Sequence, residues 1–428
     1  ILGPKDGLSI VSSNAQGESM VVLLVKEVEE LIKLSDAIYC LHLEGLNGGL
    51  QPLGERVNEV RGLPGQIHCA AECRNFLEGS YLEHPDSKRA LQDPLSFRCG
   101  AAINGSVYDS LEYVKNILEL QINRTDDNPC ILYEEGTTSV SPNFEVTTLS
   151  LGVDMLAAAL CHMSHAITNR LYKIVDPGFT GLNRFLTPHE VKTIAFSTIQ
   201  KTFAALDAEN RWLANTTTLD ITSFANGIED HASNLPLAGM RSLRIVDNLR
   251  YMLGMELMHA AQAVEMRRDQ RADNLLKLGK VTGPLKDAYR KTVPYYDADR
   301  NLSIDIEKSY QVIKDGSLLK VIEEAERAAT AKKQPQFAPS QRILRTASAA
   351  RELDIRGMET LEAEGVLDNY IDAAVMAHLE TVTIIHGKGT GALRKAVHAS
   401  LRRNKAVKSF RLGNYGEGES GVTVVELK

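Results

Sequence analysis

Apolar residues recur at three- and four-residue steps through most of this chain. "ESMVVLLVKEVEELIKLSDAIYCLHLEGL" (18–46) keeps that spacing for several turns. So do "SVYDSLEYVKNILELQI" (106–122), "FEVTTLSLGVDMLAAALCHMSHAITNRLYKI" (144–174), "EVKTIAFSTIQKTFAALDAENRWLA" (190–214) and "MRSLRIVDNLRYMLGMELMHAAQAVEMRR" (240–268). A period near 3.6 predicts amphipathic helices. Segments rich in Gly, Pro, Asn and Asp separate them, such as "NRTDDNP" (123–129), "DPGFTGLN" (176–183) and "DITSFANGIEDH" (220–231). Long helices with Ala, Ser, Thr and Gly among the apolar residues predict a large, mainly α bundle over 1–326. Several are apolar all round, which predicts burial by other subunits.

The period is lost in "RAATAKKQPQFAPSQRILRTASAA" (327–350), where Ala, Gln, Pro, Ser and basic residues predict a linker. It returns in another form over 351–428. "ELDIRG" and "ETVTIIHGKGTG" read as strands, "ETLEAEGVLDNYIDAAVMAHL" and "ALRKAVHASLRRN" as helices, and "VKSFRLG" and "GVTVVEL" as closing strands. This alternation predicts a small α/β domain.

With 428 residues, 43% hydrophobic and 24% charged, the chain has the composition of an ordinary globular protein of more than one domain. A net charge of −7 excludes a generic polyanion binder, although charge is unevenly spread. Cys40, Cys69, Cys73, Cys99, Cys130 and Cys161 fit no zinc spacing, so reduced core cysteines are expected rather than metal ligands or disulfides. The start "ILGPKDGLSI" has neither a basic region nor a long apolar run, and the apolar stretch at 155–161 is too short to cross a bilayer. A cytoplasmic protein without a membrane span is expected.

The candidate chemistry lies in the polar loops. "RALQDPLSFRC" (89–99) places an amide (Gln92), a carboxylate (Asp93) and a guanidinium (Arg98) around Pro94. A guanidinium grips a carboxylate through two parallel hydrogen bonds, where Lys offers a point charge. Asn123 adds another amide, and Phe144 in "SPNFEV" offers a planar face. Glu229, Asp230 and His231 are adjacent before a predicted helix, as a helix cap or as an acid/base cluster.

Six motifs occur in order: "KDGLSIV" (5–11), "RGLPGQ" (61–66), "LQDPLSFRC" (91–99), "NRTDDNP", "PNF" (142–144) and "EDHAS" (229–233). Together with the tail "VPYYDADRNLSIDIEKSYQVIKDGSLL" (293–319), they resemble the aromatic amino acid ammonia-lyases, the family of histidine and phenylalanine ammonia-lyases, over roughly 1–325. The resemblance implies a helical homotetramer with sites built from several subunits, acting on histidine or another aromatic amino acid. It implies that Arg98 binds the substrate carboxylate, that Gln92, Asn123 and Phe144 line the pocket, and that Glu229 faces an imidazole. It also implies 4-methylideneimidazole-5-one (MIO), an electrophile formed when an Ala-Ser-Gly triplet cyclises.

The chain departs from the family at telling places. Leu95 stands where the family usually has a proton-transferring Tyr, and Leu neither donates nor accepts a proton. "VSSNA" (11–15) replaces an Asn-Gly-Thr sequence, and Asn104 and Glu145 replace His. No Ala-Ser-Gly triplet occurs in the 428 residues. The expectation is a C-terminal lyase portion, incompetent alone, whose electrophile comes from a second chain or a missing segment.

"LDIRG" (353–357) and "HGKGTG" (386–391) resemble the Smr domain, known from the C-terminus of MutS2 proteins. Gly387, Gly389 and Gly391 let backbone approach a phosphate at a helix N-terminus. Lys388, Arg394, Lys395, Arg402, Arg403, Lys405, Lys408 and Arg411 fall in 386–411 with no Asp or Glu among them. That is a phosphate-binding face for DNA or RNA, or else a solvated helix face. The resemblance implies nucleic-acid binding, with His386 as an acid or base near Asp354 and Arg356. Two readings follow: a lyase subunit, or a nucleic-acid-binding protein whose helical part is an inactive oligomerising scaffold.

Overall fold

The computed structural model describes residues 1–3, 6–270 and 276–333. Beyond them it describes 352–356, 379–387, 391–404, 406–414 and 419–427, with single positions between 358 and 375. The chain divides into two units, 1–331 and 332–428.

The first unit is a bundle. Its principal helices are α1 (Asp6–Ser12), α2 (Ala15–Leu46), α3 (Glu55–Arg61), α4 (Pro64–Phe76), α5 (Leu95–Arg98), α6 (Gly100–Ile122), α7 (Thr147–Ile174), α8 (Pro177–Thr180), α9 (Gln200–Leu213), α10 (Leu235–Gln270), α11 (Thr282–Arg290), α12 (Leu302–Lys314) and α13 (Ser317–Lys333). Helix α10 packs along α2, α7 and α12, and α6 packs against α4 and α7. Every residue of α2 from Leu34 to Leu46 is buried. Its all-round apolar half is therefore covered by its own chain, where burial by other subunits had been the expectation. Small residues allow the closest crossings. A Cβ on Gly65 would stand 2.1 Å from the Gly105 carbonyl oxygen, so α4 and α6 touch backbone to backbone.

Three local features differ from the periodicity. The helix expected over 190–214 starts only at Gln200. Ahead of it the chain turns through positive φ at Phe185, Leu186 and Ala195. This turn buries Phe196 against His259 and Tyr296, with centroids 4.6 and 5.6 Å apart, and that packing outweighs local helix propensity. Second, a hairpin, β1 (Cys130–Leu132) with β2 (Thr137–Ser139), occupies a loop with no strand pattern. Third, α13 runs to Lys333, into the stretch expected to be a linker, and 334–350 lies outside the described residues. Helix α7 is long and apolar enough to span a membrane, but 61% of its most apolar window is buried inside the bundle.

The second unit has a four-stranded sheet, order β3 (Glu352–Asp354), β4 (Thr381–Ile385), β6 (Val422–Leu427), β5 (Val407–Leu412). Strand β3 runs parallel to β4 and the other pairs are antiparallel. A parallel pair needs a crossover, and helical residues between them bury Ala363, Leu367, Ile371 and Ala374. Helix α14 (Ala392–Arg403) adds Val397 and Leu401 to the same core.

Candidate functional site

Residues 91–100 are held from behind. Pro94 precedes α5, and Phe97 is buried. The Tyr39 hydroxyl donates to the Phe97 carbonyl at 2.7 Å, and Arg170 Nη1 donates to the Ser96 carbonyl at 3.3 Å. A Cβ on Gly100 would meet the Tyr39 ring at 2.5 Å, so the chain can lie against that ring only with Gly there. This support leaves Leu95 and Arg98 facing outward into a cavity of about 870 Å³.

That cavity is lined by Gln92, Asp93, Leu95 and Arg98 together with Lys173 and Arg267. Arg98 Nη1 donates to Gln92 Oε1 at 2.7 Å, which fixes the guanidinium while leaving its other N–H groups for a ligand. Burial raises the Asp93 carboxyl, partly offset by the Gly49 N–H donating to it at 2.7 Å. The cavity is thus mainly cationic, and Leu95 (62% exposed) offers it no proton.

Phe144 and Glu229 line a different cavity, of about 440 Å³, with Ser12, Ser13, Asn14, Asp126 and Asp127. Asn14 Nδ2 donates to Asp126 Oδ2 at 3.2 Å and to the Phe144 carbonyl at 2.9 Å, so this amide ties the start of α2 to the Phe144 backbone. His231 Nε2 lies 3.6 Å from Glu145 Oε2 and 3.1 Å from Thr147 Oγ1. The adjacent Glu229 and His231 therefore have different surroundings, which argues against one acid/base cluster. Asn123 lines neither cavity; it ends α6 with Nδ2 donating to the Glu119 carbonyl at 2.8 Å. Within one chain, then, Gln92 joins Arg98, and Phe144 joins Glu229. Asn14, from the "VSSNA" stretch that replaces the family's Asn-Gly-Thr sequence, and Asp126, which the sequence pattern did not single out, complete the second cavity.

Both amide donations of Asn14 beside the acidic cavity are committed within the chain. The chemistry assigned to the cavities uses this chain's side chains alone.

In the second unit, Arg356 and Asp354 pair as a fork, with Nε donating to Oδ1 at 2.9 Å and Nη2 to Oδ2 at 2.5 Å. Gly387 and Gly391 take positive φ of 77° and 79°, the first close against the Arg356 stem and the second at the start of α14. Both turns favour glycine for that reason. Arg394 stands over Gly391. Lys388 and Gly389 lie outside the described residues. His386 is 5% exposed, with Nε2 2.9 Å from Thr423 Oγ1 and Nδ1 3.1 Å from the Gly387 carbonyl. Burial lowers its pKa. Both ring nitrogens are thus engaged, and His386, expected as an acid or base, braces the turn.

Comparisons with known proteins give the family and the fold. The aromatic amino acid lyase family model matches residues 1–291, and the Smr domain model matches 353–428. Histidine ammonia-lyase of Anaeromyxobacter dehalogenans is 31% identical over 322 residues, covering 74% of this chain and 62% of that protein. The chain thus spans about three-fifths of the length of the curated relatives it matches. Ergothionase of Treponema denticola is an ergothioneine-degrading enzyme solved with desmethyl-ergothioneine sulfonic acid. It is 54% identical with a TM-score of 0.71, covering 74% of this chain and 63% of its own. Histidine ammonia-lyase of Trypanosoma cruzi, 22% identical with a TM-score of 0.68 over 76% of this chain and 60% of its own, shares the fold. The chain belongs to the aromatic amino acid lyase family and carries an Smr domain at its C-terminal end.

Proposed function

We propose that the first unit is a carbon–nitrogen lyase body for an imidazole-bearing substrate, and that ergothioneine, a trimethylammonium betaine, is that substrate. The observation that carries this reading is the 54% identity to ergothionase, against about 31% to histidine ammonia-lyases. The substrate's chemistry is consistent with the residues. A quaternary nitrogen has no lone pair to add to an electrophile and already leaves as neutral trimethylamine, so elimination needs no MIO. The β-carbon loses a proton to a base, the electron pair forms the Cα–Cβ double bond, and the C–N pair departs with the amine.

Arg98, held by Gln92, is assigned the substrate carboxylate, and Glu229 the acid/base role toward the ring or β-proton. Phe144, with Asp126 and Glu229 beside it, suits a quaternary ammonium through cation–π attraction. Because these groups line two cavities of one chain, a complete site is assigned to an assembly of copies, a homotetramer by family analogy. Exposed Val22, Leu23, Leu151, Met155, Trp212 and Met240 on the long helices are surfaces such an assembly would cover. A primary amine such as that of histidine would instead need an electrophile from a second chain or a further segment.

The test is to incubate the purified chain with ergothioneine and with histidine and to measure trimethylamine and ammonia. Trimethylamine from ergothioneine alone is expected. Ammonia from histidine without an added chain would refute the reading. For the second unit, the fork Asp354–Arg356, the two glycine turns and Arg394 favour phosphate-backbone binding to DNA or RNA, independent of the lyase body. Fluorescence anisotropy with a labelled oligonucleotide tests it, and binding that ignores salt would refute it.

A further inference from the structure

The bundle core holds a group of side chains that the proposed elimination does not use. Asp36 and Cys40 are four residues apart on α2, and Cys69 and Cys73 are four apart on α4. Residues spaced by four share a helix face, and these two faces meet. The ligand atoms of Asp36, Cys69 and Cys73 lie within 4.8 Å of one another, and all three residues are buried. Cys40 Sγ lies 3.8 Å from the Cys73 carbonyl oxygen.

Asp36 is a fully buried carboxyl group, and burial pushes its pKa well above the usual carboxylate range. Asn104 Nδ2 donates to it at 2.6 Å, the Tyr108 hydroxyl at 3.0 Å and the Cys69 thiol at 3.2 Å, and none of these brings positive charge. The Asn104 amide oxygen is buried without a partner. A carboxylate and soft sulfurs converging in a closed space match a thiophilic cation, because thiolates select such ions and tetrahedral Zn²⁺ takes S and O ligands at roughly 2.0–2.3 Å.

We propose that Asp36, Cys69 and Cys73, with Cys40 packed beside them, form a closed structural site for a thiophilic divalent metal ion such as Zn²⁺. Binding releases the protons of the coordinating thiols to solvent, and the dication offsets two of the three negative charges then carried by Asp36, Cys69 and Cys73. With no opening to solvent, the ion enters as the chain folds, and it clamps α2 to α4 beneath residues 91–100. Linear spacing hides the site, because Asp36 lies about thirty residues from an i, i+4 cysteine pair, unlike the short Cys-x₂-Cys pairs of zinc folds.

The test uses the full chain, produced once in zinc-containing medium and once with Co²⁺ replacing zinc. Expected are stoichiometric zinc by inductively coupled plasma mass spectrometry, and for the cobalt form intense tetrahedral d–d bands with thiolate-to-cobalt charge transfer. The Cys69→Ser/Cys73→Ser variant should lose both signals. The Cys99→Ser/Cys130→Ser/Cys161→Ser variant, which leaves the core sulfurs in place, should keep both, and it decides the matter if the first variant fails to fold. A wild-type chain with only background metal would overturn the proposal and leave a plain core of reduced thiols. Loss of the signal in the outer triple variant would overturn it equally.

Discussion

Arg170 and Glu256 face each other as a fork in the bundle core, with Nε donating to Oε1 at 2.5 Å and Nη2 to Oε2 at 3.2 Å, both side chains shut off from solvent. His42 Nδ1 lies 2.8 Å from the same Oε1. Burial alone would raise the Glu256 carboxyl; Arg170 and His42 override it and hold it at about 2. Since Arg170 also reaches the Ser96 carbonyl, this pair underlies the position of Arg98.

Glu256→Ala should therefore destabilise the first unit by about 3–5 kcal/mol, because it strands a buried guanidinium. Replacing both partners, as Arg170→Met/Glu256→Leu, should cost much less. Urea titration by circular dichroism checks both. Equal losses in the single and double variants would mean that the pair is not the source of the effect.

Arg98→Lys should keep the thermal midpoint near wild type, since Arg98 faces a cavity and its hydrogen bond to Gln92 is exposed. Losing a charge-assisted fork to a carboxylate costs about 1.5–3 kcal/mol, so the apparent affinity for a carboxylate substrate should fall roughly 10- to 150-fold. Isothermal titration with the substrate and with its amide gives the readout. An unchanged preference for the acid would remove Arg98 from the clamp.

Gly105→Ala tests the α4–α6 crossing. The new Cβ would lie 2.5 Å from the Gln66 backbone nitrogen, and backbone cannot swing aside as a side chain can. Overpacking of this kind costs about 1–3 kcal/mol. A midpoint at or above wild type in urea would show that the helices separate easily.

Glu44 gives a pH signature. Burial raises its carboxyl to about 7, against an ordinary 4.5, although the Ser80 hydroxyl and the Gly279 N–H donate to it. The folded state thus keeps a proton that the unfolded state loses. This contribution is complete below 4.5 and is lost as pH rises through about 7. Glu44→Gln should flatten that part of the stability profile. His259, lowered by burial to about 3, has the opposite sign, with stability falling as pH drops from 6.5 toward 3. Parallel profiles for wild type and Glu44→Gln would show that Glu44 does not hold the proton.

In the second unit, Arg394→Ala should reduce the slope of log affinity against log salt by about one for an oligonucleotide, by removing one phosphate contact. Asp354→Asn frees Arg356 from its fork and should leave the slope unchanged or steeper. A slope indifferent to Arg394 would move the contact surface elsewhere.

Sequence by itself determined the helical class of the first unit and the strand–helix order of the second, because both are local periods of side-chain burial. It also carried the lyase and Smr motifs, and it exposed the chemical departure at Leu95. Tertiary structure decided what periods cannot express. It separated Arg98 and Gln92 from Phe144 and Glu229, because helix packing, and not loop composition, sets which loops share an end of the bundle. It delayed α9 to Gln200, since burying Phe196 outweighs helix propensity in that stretch. It also turned His386 inward onto Thr423. Finally, it joined two unremarkable pairs on separate helices, Asp36 with Cys40 and Cys69 with Cys73, into one buried cluster, because α2 and α4 bury these faces against each other.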